Sequence, residues 1–104
     1  MKVIQRGIMK ILPGKMEDAV KLLGEWNAMV KRLGVPVDRM RSYRPISGGQ
    51  DIMHTQILEI EWNSFVDMAT FFDKAMAGPE FQAEMAKWDA IIESHEMEIL
   101  TPMA

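Results

Sequence analysis

The chain has 104 residues, 48% of them hydrophobic and 26% charged, with a formal net charge of −3 and no cysteine. A chain of this size can bury one modest core, removing roughly 60–70% of its unfolded surface from water, and the composition is that of a packed domain rather than a disordered segment. The acidic balance supplies no cationic field for nucleic acid. The missing cysteines exclude disulfides, thiolate nucleophiles and Cys-based metal sites, and they fit a reducing cytoplasm. Arg6 and Lys10 interrupt the apolar N-terminal stretch, so an unprocessed chain is expected, and no run reaches the roughly 18 apolar residues of a membrane span.

Residues 3 to 12, VIQRGIMKIL, mix apolar and polar side chains at a period near two and stop at Pro13-Gly14. That pattern predicts a first strand. From Lys15 to Leu33 the period lengthens, with Met16, Ala19, Leu23, Trp26, Val30 and Leu33 on one stripe, which predicts an amphipathic helix closed by Gly34 and Pro36. Residues 38 to 46 form a polar second strand that must lie at an edge or end at Arg44, because Pro45 lacks a donor. Ser47-Gly48-Gly49-Gln50 suits a tight hairpin, making strands two and three antiparallel neighbours.

The stretch 51 to 62, DIMHTQILEIEW, is the clearest strand. Ser64 with Asp67 three residues on is a close relative of a capping box and opens a helix with Phe65, Met68, Phe72 and Ala75 on its apolar face. Gly78-Pro79 breaks that helix, and a second piece carries Phe81, Met85, Trp88, Ile91 and Ile92. The fourth strand is expected over His95 to Leu100.

The order β-α-β-β-α-β predicts an α+β, ferredoxin-like domain spanning residues 1–104, with a four-stranded antiparallel sheet and helices on one face. Strands one and three carry apolar residues on both faces, so the face without helices is expected to expose an apolar patch and to pair with a second copy, giving a homodimer.

The first strand ending in Pro13-Gly14-Lys15, the ILEIEW strand ending at Trp62, and GPEFQAEMAKW at 78–88 together resemble the dimeric α+β barrel superfamily. The similarity is strongest to its NIPSNAP-like and antibiotic-biosynthesis-monooxygenase-like branches. It implies either a small-molecule enzyme, monooxygenase- or isomerase-like and cofactor-independent, acting on an apolar or aromatic compound, or a non-catalytic homodimeric ligand-binding or structural protein. The haem-degrading branch uses an Asn on the first strand and a Trp and axial His in the second helical region. In this register those positions fall at Gly7, at Phe71 or Phe72, and at Met85, so the haem set is not reproduced.

Histidine is the side chain that exchanges protons near neutral pH, and the chain has two. His54 shares strand parity with Gln56 and is the candidate catalytic acid or base; Gln56, Tyr43 and Arg41 are candidate substrate-orienting groups, Arg41 being able to grip a carboxylate or phenolate in two places. The bland alternatives are a histidine satisfied within the sheet and Arg–Glu pairing across the hairpin to Glu59 and Glu61. His95 reads as a surface residue, and the eleven Met and three Trp as core filling or the wall of an adaptable apolar pocket. Two separated histidines make no metal spacing. No metal or cofactor site, nucleic-acid partner or membrane partner is expected.

Overall fold

The structure is a computed structural model and describes residues 1–48 and 52–103. Gly49, Gln50 and Asp51, which include half of the expected hairpin turn and the first residue of the expected third strand, lie outside the described residues. The elements follow the expected order: β1 Val3–Ile11, α1 Met16–Arg32, β2 Met40–Tyr43, β3 Thr55–Trp62, α2 Phe65–Met76, α3 Pro79–Asp89 and β4 Ile92–Leu100. They make one four-stranded antiparallel sheet in the order β2-β3-β1-β4, with the chain termini on neighbouring central and edge strands. The fold is α+β and ferredoxin-like.

Local chemistry accounts for the boundaries. Glu17 and Asp18 lie in the first turn of α1 and Lys31 and Arg32 in its last, each matching the helix dipole. Gly34, at φ 113°, takes the conformation that ends the helix, and the Val35 amide returns to the Val30 carbonyl at 3.2 Å. Ser64 caps α2 by accepting a hydrogen bond from the Asp67 amide at 3.1 Å. Pro79 opens α3 at its first helical position.

Three expected boundaries move. β2 is shorter than 38–46, because a 3₁₀ turn takes Val37–Arg39 and the strand stops at Tyr43, ahead of Pro45. β3 begins at Thr55 rather than Asp51. Its last partner on β1 is Lys10, opposite Thr55, so Ile52–His54 has no ladder to join and closes a 3₁₀ turn instead. β4 begins at Ile92, three residues earlier than expected, since α3 stops at Asp89 and the register shifts between Lys10 and Ile11, leaving Glu93 as an extra residue in the ladder.

The core lies between the sheet and the helices in two clusters, both touched by Trp26 of α1. One joins Val3, Ile60 and Trp62 of the sheet to Met29, Val30, Met68 and Phe81. The other joins Met9 and Ile11 to Ala19 and Trp88. Phe71 and Phe72 stack around Trp62 with ring centroids 5.1 and 6.0 Å away, distances at which tilted aromatic pairs attract beyond simple burial. Between the helices, Arg32 of α1 pairs with Glu80 of α3, and Lys87 bridges Glu84 at 3.2 Å and Glu25 at 3.6 Å.

Candidate functional site

The strand alternation assigns each sheet residue to one of two sides. Val3, Gln5, Gly7, Met9 and Ile11 of β1 face the helices, together with their partners Gln56, Leu58, Ile60 and Trp62 on β3. His95, Met97 and Ile99 of β4 share that side, but the helical layer does not cover them: all three are exposed. The open side carries Ile4, Arg6 and Ile8 with Ile57, Glu59 and Glu61.

The four sequence-predicted site residues divide between these sides. Gln56 is 5% exposed on the helix side of β3, and its amide oxygen is buried with no hydrogen-bond partner among the described residues. His54 sits two residues earlier, at the end of the 3₁₀ turn, and its Nδ1 is likewise buried and unpartnered. Two orphan polar atoms so close in the chain are unusual, because leaving one unsatisfied costs about 1–3 kcal/mol. Arg41 and Tyr43 belong to the open side of β2, opposite Glu59 and Ile57. The Tyr43 hydroxyl donates to Glu59 Oε1 at 3.3 Å, so the pairing across the hairpin is present for that residue.

One cleft reunites two of the four. Gln56, Ser42, Tyr43 and Arg44 enclose, with Val20 and Leu23 of α1, a space of about 200 Å³ at the β2 edge of the sheet. Its volume suits a single ring. Gln56, whose amide oxygen lacks a partner among the described residues, thus borders a cleft with Ser42 and an apolar wall from α1, and His54 is not among its lining residues.

A second polar cluster was missed in the sequence. Trp62 Nε1 donates to Gln5 Oε1 at 3.0 Å, and Gln5 Nε2 reaches the Met97 sulfur at 3.6 Å, a weak acceptor. A methyl group at Gly7 would stand 3.3 Å from His95 Nε2, so the imidazole lies over the bare backbone of β1. All three contacts run along the same diagonal of the ladder, from one strand to the residue offset by two on the next, a reach that long side chains span. Gln5 was legible as the lone polar residue sharing parity with Val3, Met9 and Ile11. Nothing local in the sequence marked His95 as lying over Gly7, because that depends on the β1–β4 register. His95 stands across Met9 from Gln56, about 10 Å away at ordinary strand spacing. Among the described residues no three His, Asp or Glu side chains gather as a metal site requires.

No protein-family model matches the sequence, and no curated protein matches it. Solved structures do. A NIPSNAP family protein from Agrobacterium tumefaciens superposes with a TM-score of 0.80 at 24% identity, covering 98% of this chain and 86% of that one. An uncharacterized NIPSNAP domain protein from Burkholderia xenovorans gives 0.76 at 16% identity, over 98% of this chain and 95% of the other. These likenesses show an α+β, ferredoxin-like fold. A variant of SnoaB, a cofactor-independent oxygenase from Streptomyces nogalater, is also similar, with a TM-score of 0.71 at 14% identity, over 99% of this chain and 94% of that chain. Identities at this level carry the fold and no more. None of the helices in the described residues is long and apolar enough to cross a membrane.

Proposed function

We propose that the protein binds a small hydroxyl-bearing aromatic or enolic compound at the His54–Gln56 end of the sheet and exchanges a proton with it through His54. The pair of buried, unpartnered acceptors, His54 Nδ1 and Gln56 Oε1, carries this reading. A neutral imidazole nitrogen can take a hydroxyl proton while the amide oxygen accepts a hydrogen bond from a second donor on the same ligand. The deprotonated phenol or enol is electron-rich. It is the species an isomerase reprotonates at carbon and a cofactor-independent oxygenase presents to dioxygen, and similarity to an oxygenase of that kind supports the second chemistry.

A non-catalytic ligand-binding or structural role of the NIPSNAP-like type has its own support. The cleft, about 200 Å³, is below the range of roughly 300–1,000 Å³ usual for ligand sites, and Met9, Met29, Met68, Trp62 and Trp88 fill the space between sheet and helices. In either role we infer a homodimer formed through the open side of the sheet. Across that side Arg41, Glu59, Arg6 and Glu98 stand in one row of alternating charge, flanked by the Ile8–Ile57 pair and by Ile4 beside Leu100.

Titration with catechol, followed by amide and imidazole resonances, tests the proton-exchange reading. It predicts saturable shifts at His54 and Gln56, lost in His54→Ala. Gln56→Leu should raise the stability of the free protein by about 1 kcal/mol, by removing an orphan acceptor, while abolishing stabilisation by catechol. Shifts confined to other residues, with Gln56→Leu destabilising, would reject the site.

A further inference from the structure

At the far end of β3 from Gln56, a cleft of about 300 Å³ opens between α2 and the segment that leaves α1. Six residue steps of extended chain lead from Gln56 to Trp62, about 20 Å, so this cleft is distinct from the His54–Gln56 end. Its wall on one side is a single stripe of α2, Asp67, Thr70, Phe71 and Lys74, spaced at i, i+3, i+4 and i+7. The other side is built by Leu33 to Pro36, where Gly34 turns the chain, and by Arg39 of the following 3₁₀ turn. Trp62 contributes to the lining, and its ring is already fixed by Phe71 and by the bond from its Nε1 to Gln5. The aromatic and aliphatic surface is therefore preformed.

The charges decide what would occupy it. Glu61 is paired with Lys2 at 3.5 Å. Asp67 lies in the first turn of α2, where the helix N-terminus already favours a carboxylate. Arg39 and Lys74 have no carboxylate partner among the described residues, and the Thr70 hydroxyl lies one turn before Lys74 on the same stripe. Two uncommitted cations and a hydroxyl beside an apolar wall suit a compound with a flat apolar body and one anionic head. A guanidinium and an ammonium grip a carboxylate by charge-assisted hydrogen bonds while Trp62, Phe71 and Val35 cover the ring system. At about 300 Å³ the space takes two fused rings with a carboxylate.

We propose that this cleft is a binding site for aromatic carboxylates, separate from the His54–Gln56 end of the sheet and held by Arg39 and Lys74. The probe is 2-naphthoate, with the neutral 2-naphthalenemethanol as its isostere, titrated into the full chain while amide and indole N–H resonances are recorded. Naphthoate should give saturable shifts at Gly34, Val35, Thr70, Phe71 and the Trp62 indole. The paired substitution Arg39→Gln with Lys74→Gln should weaken it at least about tenfold, and Lys74→Gln alone should weaken it by less. Lys74 is exposed, so the single variant retains the fold and keeps the test meaningful if the double variant is destabilised. Lys21→Gln, an exposed change on α1, should leave binding as it was. The proposal is overturned if naphthoate causes no saturable shifts, if they gather at His54 and Gln56, if the Lys74 variants bind as tightly as the parent, or if the neutral isostere binds as well as the anion.

Discussion

Where the helices cover the sheet its polar side chains are few, buried and individually consequential, whereas on the open side they form a continuous row. Gln5 and Gln56 are the buried polar residues of the helix side, at 9% and 5% exposure. One is held by Trp62 and the other has an oxygen with no partner. On the open side Arg6 contacts Glu59 through two guanidinium nitrogens, each at 2.8 Å, and Glu98 at 3.7 Å, while Tyr43 completes Glu59. Water reaches both partners of the Arg6–Glu98 pair, at 38% and 45% exposure, so it contributes at most about 1 kcal/mol, whereas the Glu59 side chain is 12% exposed and relies more on its partners. A single unsatisfied amide in the dry layer, at about 1–3 kcal/mol, is as consequential as several ion pairs in the wet one. The apolar patch expected on the open side is broken by this charged row. The open side presents isoleucines interleaved with ordered charge, so the proposed dimer would depend on charge register as well as on apolar area.

The contrast can be broken most severely at Trp62. Trp62→Ala removes the ring that Phe71 and Phe72 pack on and the donor that orients Gln5, and it should cost about 3–5 kcal/mol in urea unfolding. A loss under about 1 kcal/mol would mean that the dry layer tolerates voids as readily as the open side tolerates lost charges. A middle-sized effect is expected from Arg6→Glu on the open side, which converts the alternating row into three neighbouring negative charges on β3, β1 and β4. Sedimentation should show dimer dissociation moving to at least about tenfold higher protein concentration. A parent protein that sediments as a monomer at micromolar concentration would remove the proposed interface altogether.

The smallest effect concerns the surface bridge between α1 and α3. A hydrogen bond from Lys87 to Glu84, and then the charges of Glu25 and Glu84, hold the Lys87 ammonium above its ordinary value of 10.5. A value raised in the folded state stabilises fully below 10.5 and loses that contribution as pH rises through the raised value. Lys87→Met should therefore lower stability slightly and equally at pH 6 and pH 9, and the gap to the parent should close only in strong alkali. A gap that changed between pH 6 and pH 9 would assign the bridge's effect to another group.

Much of the architecture was legible because it rests on local signals. The period-two runs of β1 and β3, the stripe of α1, the Ser64 cap and the Gly78-Pro79 break each depend on residues within one element, and each is present. The edges of elements were less legible where the deciding partner lies on another strand. Residues 52–54 look extended in isolation, yet they turn because β1 offers them no partner beyond Lys10. Ile92 reads as the end of a helical face, yet it pairs with Ile11.

The site divides in the same way. Parity alone grouped His54 with Gln56 and Arg41 with Tyr43, whereas Gln5, of the same parity as Val3, Met9 and Ile11, was passed over. Which of those faces the helices would cover was a matter for the tertiary structure, and so were the Gly7–His95 contact and the meeting of Arg39 with the Thr70–Lys74 stripe. The physical reason is range. Strand alternation, helical period and capping act over a few residues, so the residue types themselves determine them. Orphaned acceptors, diagonal contacts across a ladder and clefts between a helix and a turn exist only once segments distant in the chain have been brought into one register.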